Sequence, residues 1–222
     1  MNEQSFDHAR KMMLESQIRP NKVIDELVLS AFAETPRELF VQKAMRDIAY
    51  IDEDLPLCNG RYLMEPMILA RLIQSLALQI SDNVMIVGVG TGYSATIISQ
   101  IAASVIGIES RAPLLQKAES NLATLDVSNT ILFKGRLQDG YEKEAPYNAI
   151  LIDGGVSFVP DNILNQLSEN GRLVSIYRPS NIASAGEASV WMRSGEKFSR
   201  TCLFNAQVPT LEEFKEKTEF RF

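Results

Sequence analysis

From Phe6 to about Ala49 apolar side chains recur every three or four positions: Met12, Met13 and Ile18, then Val23, Leu27, Val28, Ala31 and Phe32. That spacing lines one face of a helix, and Pro20 and Pro36 cut the stretch into two or three pieces. From Tyr50 to Pro66 the rhythm is lost. Pro56, Gly60 and Pro66 interrupt this segment and Asp52, Glu53 and Asp54 crowd into it, so it reads as an ordered loop. A helix returns over Met67 to Leu78, with Leu69, Leu72, Ile73 and Leu76 on one stripe.

After Asp82 the period changes. Short apolar runs, VMIV (Val84 to Val87), VIGI (Val105 to Ile108), TILF (Thr130 to Phe133), AILI (Ala149 to Ile152) and RLVSIY (Arg172 to Tyr177), stand between helical stretches. These stretches run to about Ala102, through Leu122, and from about Asp161 to Leu167. Alternating strand and helix predicts a mostly parallel sheet covered on both faces. Ala188 to Met192 and Phe198 to Asn205 flank Ser194-Gly195-Glu196-Lys197 and predict a hairpin on the sheet edge. The closing FRF, Phe220 to Phe222, is expected to be a docked tail or an exposed patch. The whole reads as one domain, 1–222, with a helical and loop extension over 1–78 and a sheet core over 79–222.

Composition narrows the chemistry. With 45% hydrophobic and 23% charged residues in 222, disorder is excluded as a description of the whole chain. Acidic residues outnumber basic ones, 28 to 22, giving a net charge of -6. Such a balance argues against nucleic acid, whose binding by counterion release needs a basic face. No apolar run approaches the ~20 residues of a membrane span, and the opening MNEQSFDHARKMM lacks a signal pattern; the cytoplasm is the expected compartment. Cys58 and Cys202 are expected to be reduced and partly buried. His8 is the sole histidine and is expected on a solvated helix face, which sets aside Ser/His and Cys/His catalysis and a His-rich metal site. No metal is expected.

Gly88-Val89-Gly90-Thr91-Gly92 follows one strand and opens a helix, where an open α/β sheet leaves a crevice beyond its strand ends. Glu109 ends the second strand about 20 residues after the first glycine, the spacing at which a carboxylate reaches both hydroxyls of a ribose. The ligand is therefore expected to carry adenosine. Tyr93 stands where the dinucleotide fingerprint needs a third glycine, and no Lys-Ser/Thr follows the glycines to serve a triphosphate. S-adenosylmethionine has ribose and adenine without phosphate, and its sulfonium suits an acidic protein. A purely structural turn is the competing reading.

The blocks TPRELFV (Thr35 to Val41), AYIDEDLPL (Ala49 to Leu57), VGTGY (Val89 to Tyr93), APYNAILID (Ala145 to Asp153) and LNQLSENGRLV (Leu164 to Val174) resemble, in order and spacing, the protein-L-isoaspartate O-methyltransferase family. The resemblance implies a class I, Rossmann-like, seven-stranded methyltransferase sheet with a C-terminal antiparallel hairpin and an N-terminal extension. It implies S-adenosylmethionine as donor, S-adenosylhomocysteine as product, and as acceptor an isoaspartyl carboxylate of a damaged peptide or protein, or a related small carboxylate. Such an acceptor is already ionised at neutral pH, so no general base is expected.

On that resemblance the cofactor residues are Gly88, Val89, Gly90, Thr91, Gly92, Glu109, Ser110, Arg136, Leu137 and Asp153. The substrate loop is Gly60, Arg61, Tyr62, Leu63 and Met64. Three positions depart from the family. Its Gly-Gln-Thr-Ile-Ser-x-Pro loop reads Gly60-Arg61-Tyr62-Leu63-Met64-Glu65-Pro66 here, after a stretch two residues shorter. Ile86 takes the place of an acid two residues before the first glycine, and Gly135-Arg136-Leu137 takes the place of Gly-Asp-Gly, whose aspartate meets the adenine amino group. Asp139 is a second candidate for that partner. Arg61 has two readings, a bidentate carboxylate ligand or a solvated loop side chain; Tyr62 to Met64 either line a pocket or pack in the core. Asp153 either faces the sulfonium or caps a turn with Gly154 and Gly155. The alternative to an enzyme is a non-catalytic binding module on the same fold.

Overall fold

The computed structural model describes residues 3–58, 60–179 and 185–216; Phe220 to Phe222 lie outside them. The N-terminal stretch forms α1 (Glu3–Met13) and α2 (Glu26–Glu34). Between them the chain widens over Leu14–Ile18 and tightens over Arg19–Asn21, because Pro20 has no N–H to continue the helical ladder. Asp25 caps α2, its carboxylate accepting from the N–H groups of Leu27 and Val28 at 2.9 and 3.3 Å.

The segment expected to be a loop contains a small antiparallel pair, β1 (Leu55–Pro56) and β2 (Tyr62–Leu63). Strands of two residues are too short to show alternation, so the pattern did not announce them. Backbone bonds from Leu57 N to Arg61 O at 2.9 Å and from Arg61 N to Cys58 O at 2.8 Å hold the connection. Pro66 at the first turn then starts α3 (Pro66–Ser75).

The remainder alternates as its pattern predicts: β3 (Asn83–Val87), α4 (Tyr93–Ser99), β4 (Ser104–Glu109), α5 (Ala112–Thr124), β5 (Thr130–Lys134), β6 (Tyr147–Val156), α6 (Asp161–Leu164), β7 (Leu167–Tyr177), β8 (Gly186–Ser194) and β9 (Lys197–Ala206). Three helices end three residues sooner than expected, α3 at Ser75, α4 at Ser99 and α6 at Leu164, the last because Leu167 is drawn into the sheet opposite Tyr147. The seven-stranded sheet has the order β5-β4-β3-β6-β7-β8-β9. Its first five strands run parallel, and the β8–β9 hairpin is antiparallel at the edge.

Two apolar clusters cover the sheet faces. One runs without a break from Met13, Phe32 and Leu72 in the extension to Val84, Ile97 and Val174 in the core; the other includes Val87, Ile152, Trp191 and Phe214. The block TPRELF has its reason here. Arg37 is fully buried and donates to the carbonyls of Ala49 at 2.7 Å and Met64 at 2.8 Å. Its guanidinium lies 4.9 Å from the ring centre of Tyr93, and Phe32 and Phe40 meet the same ring edge-on. Tyr93, where a dinucleotide site would need glycine, thus anchors the extension to the start of α4. Cys58 and Cys202 are free thiols, and Cys202 is exposed rather than partly buried. His8 lies exposed on α1.

Candidate functional site

The crevice lies at the C-terminal ends of β3, β4 and β6. Gly88, Gly90 and Gly92 all take positive φ, at 81°, 58° and 95°, a conformation that only glycine adopts cheaply. Glu109, at the last position of β4, is wholly inaccessible to solvent. Its Oε2 accepts from the N–H of Gly90 at 2.9 Å and from Nη2 of Arg61 at 2.5 Å. Its Oε1 accepts from the N–H of Arg111 at 3.0 Å, and the hydroxyl oxygen of Ser110 lies 3.4 Å away. A carboxylate has about four acceptor positions; Gly90, Arg61 and Arg111 engage three of them.

Arg61 is therefore neither solvated nor turned outward: it is 3% exposed and ion-paired to Glu109. Both of its terminal nitrogens come within 3.2 Å of the point where a Cβ on Gly88 would stand, and Leu211 Cδ1 within 3.5 Å of the same point. Leu211 belongs to a C-terminal strap whose role no sequence signal announced. Gly155 N bonds to Pro209 O at 3.0 Å, and Leu211 N to Gly155 O at 2.9 Å, fixing the strap along the end of β6. Glu213 then reaches across to β4, accepting from the Ser110 hydroxyl at 2.6 Å. Burial pushes the Glu213 carboxyl up, but the Ser110 hydroxyl and the neighbouring cations outweigh it and leave it below the usual range.

The remaining expected residues divide. Thr91 turns away, its hydroxyl donating to Phe40 O at 2.6 Å, and the Val89 side chain packs against Gly107 in the core. Only their backbone can face a ligand. Ile86 is fully buried in the apolar cluster, so no side chain from that position enters the crevice. Arg136 is exposed and within 3.9 Å of Asp139, and Leu137 is buried. These two, with Ser110, Gly135, Gln138 and Glu213, border a cavity of about 530 Å³ next to Glu109. Leu63 and Met64 are core residues, whereas Tyr62 is 41% exposed and borders, with Gly60, a second cavity that includes Arg111 and Arg178.

Asp153 lies in β6, partly buried, in a stretch where the pairing with β7 is irregular. Burial raises its carboxyl to about 6, opposed by the Ser94 hydroxyl and by Arg61. Glu65, beyond the substrate loop, is pushed up to about 7 by burial and by the neighbouring Asp52 and Asp54. Among the described residues no group of three His, Cys, Asp or Glu is placed to hold a metal ion.

Residues 8–184 match the model of the family described as Protein-L-isoaspartate(D-aspartate) O-methyltransferase (PCMT). The chain belongs to this family. A protein-L-isoaspartate O-methyltransferase 1 of Rhodopseudomonas palustris (strain HaA2) is 38% identical over 170 residues, covering 77% of this chain and 69% of that one. A protein-L-isoaspartate O-methyltransferase of Herpetosiphon aurantiacus is 32% identical over 206 residues, covering 93% and 91%. Among solved structures, a putative protein-L-isoaspartate O-methyltransferase from Plasmodium falciparum, in complex with S-adenosyl-L-homocysteine, superposes with a TM-score of 0.78. It is 19% identical and covers 92% of this chain and 98% of that one, a likeness of fold. Membership makes this chain an S-adenosylmethionine-dependent methyltransferase rather than a non-catalytic module on the same fold.

The donor set suits that cofactor in kind: a strand-ending carboxylate, a turn that offers its backbone, and a neighbouring hydroxyl. The space does not. Arg61 holds Oε2 of Glu109 and covers the open face of Gly88, the carboxylate oxygen and the opening that a ribose would use.

Proposed function

We propose that the chain methylates the carboxylate of isoaspartyl residues in damaged peptides or proteins, working in the cytoplasm and as a single domain, without nucleic acid as a partner. The observation that carries this reading is Glu109, a buried carboxylate at the end of β4 bonded to the amide of the glycine turn, in a chain whose residues 8–184 match the family. The apolar cluster that continues from the extension into the core supports the single domain.

The donor supplies a methyl group on a positively charged sulfur. What the chain contributes is position and exclusion of water. An acceptor carboxylate with the reference pKa of ~4 is ionised at neutral pH and needs no base. Asp153 with the Ser94 hydroxyl, Glu109 and the glycine turn are polar groups at the strand ends, and Leu211 of the strap packs over Gly88 and Gly154 beside them. Tyr62, with Gly60 beside it, is the exposed part of the substrate loop and is assigned to the acceptor side. Arg136 and Leu137, at the cavity beside Glu109, are assigned to the adenine side.

The test is transfer of labelled methyl from S-adenosylmethionine to an isoaspartyl peptide and to its aspartyl counterpart. Label on the isoaspartyl peptide alone supports the reading. Label on neither, from a chain that binds S-adenosylhomocysteine, overturns the acceptor assignment.

A further inference from the structure

We propose that Arg61 is a built-in competitor for the cofactor: its guanidinium holds the place on Glu109 that a ribose would take, and the cofactor enters only as this side chain withdraws. The proposal rests on the methyltransferase reading above.

Three observations carry it. The first is acceptor capacity. Glu109 accepts from the amides of Gly90 and Arg111 and from Arg61, and the hydrogen bond from Arg61, at 2.5 Å, is the one contributed by a side chain from outside β4 and its adjoining turns. The Gly90 and Arg111 bonds belong to the backbone that shapes the site; the Arg61 bond, 48 residues away in the chain, is the one that can leave without unmaking it. A vicinal diol presents two neutral donors, whereas a guanidinium presents charge-assisted ones, which are roughly twice as strong.

The second is space. The side-chain-free face of Gly88 is covered by both terminal nitrogens of Arg61, at 3.2 Å from the position of an added Cβ. The opening that glycine provides for a ligand is thus taken by the protein itself.

The third is that the pairing is incomplete. Nη1 of Arg61 is buried without a hydrogen-bond partner, an arrangement that costs about 1–3 kcal/mol. Solvent repairs this when the side chain swings out, and Gly60 beside it faces open space. On leaving, the side chain recovers a hydrogen bond for Nη1, which offsets part of the cost of breaking the contact with Glu109.

Two measurements test the proposal on the full chain. Calorimetric titration with S-adenosylhomocysteine compares the wild type with Arg61→Gln, which removes the charge and keeps a donor. The variant is expected to bind about tenfold more tightly. Should Arg61→Gln not fold, modification of the wild type by phenylglyoxal, read by peptide mass spectrometry, replaces it: Arg61 is expected to be protected without ligand and to become reactive when S-adenosylhomocysteine is added. Equal affinity of the two chains, or binding to the wild type that leaves Arg61 protected, overturns the competitor and leaves the methyltransferase reading standing. No binding by either folded chain up to millimolar ligand overturns both.

Discussion

Arg37 shows how one side chain can tie three segments together. It is a buried cation whose hydrogen bonds go to Ala49 O and Met64 O while its plane rests near the Tyr93 ring. Arg37→Ala leaves two carbonyls unpaired and opens a cavity, and is expected to cost about 3–5 kcal/mol of unfolding free energy in urea titration. Arg37→Lys is expected to recover little of this, because an ammonium lacks the planar fork that serves both carbonyls. Glu65 gives a pH signature. Its carboxyl titrates near 7 in the folded chain against an ordinary 4.5, so the native state holds the proton more tightly than the unfolded one. Stability should therefore fall as pH rises from about 4.5 to 7, then level off. Thermal unfolding at stepped pH should show this slope flattened in Glu65→Gln, with the variant gaining most above pH 7. At this scale the sequence was informative where chemistry is local. Glu109 could be placed by its distance from the first glycine, and Tyr93 was rightly separated from a dinucleotide motif. The meeting of Arg61 and Glu109 had no such signal, because nothing in the spacing of two residues from separate elements says that their side chains touch.

Among the elements, the alternation of strands and helices from Asn83 to Tyr177 was legible because buried parallel strands read as apolar runs, and the β8–β9 hairpin because Ser194 to Lys197 interrupts two alternating stretches. The β1–β2 pair and the strap over 208–214 were not. The first is shorter than one period of alternation. The second has no regular structure beyond a single turn at Glu212–Phe214, and it is held by backbone bonds to Gly155 and Ser157 and by Glu213 on Ser110. That dependence can be tested at Gly154, where φ is 154° and an added Cβ would lie 2.7 Å from Leu211 Cγ and Cδ2. Gly154→Ala is expected to destabilise the chain by about 1–3 kcal/mol through backbone strain and to lift the strap. Faster hydrogen exchange at the Leu211 amide, which bonds to Gly155 O, is the readout; unchanged exchange would mean that Leu211 yields without the backbone following.

For the molecule as a whole, the extension and the sheet share one apolar cluster, which argues for a single cooperative unit. Far-UV circular dichroism, dominated by the helices, and fluorescence of Trp191, which sits in the opposite cluster, should give superimposable urea transitions; two separated midpoints would divide the chain into independent parts. Length and composition suggest one unit but say nothing of contacts such as the ring of Tyr93 set among Phe32, Phe40 and Arg37, which join the extension to α4. The buried pair at the crevice has a consequence for turnover. A protein that closes over its own carboxylate does not leave that group unpaired between reaction cycles. Each departure of spent nucleoside is assisted from within, so the purified protein should carry no retained S-adenosylhomocysteine, and product inhibition should be weak.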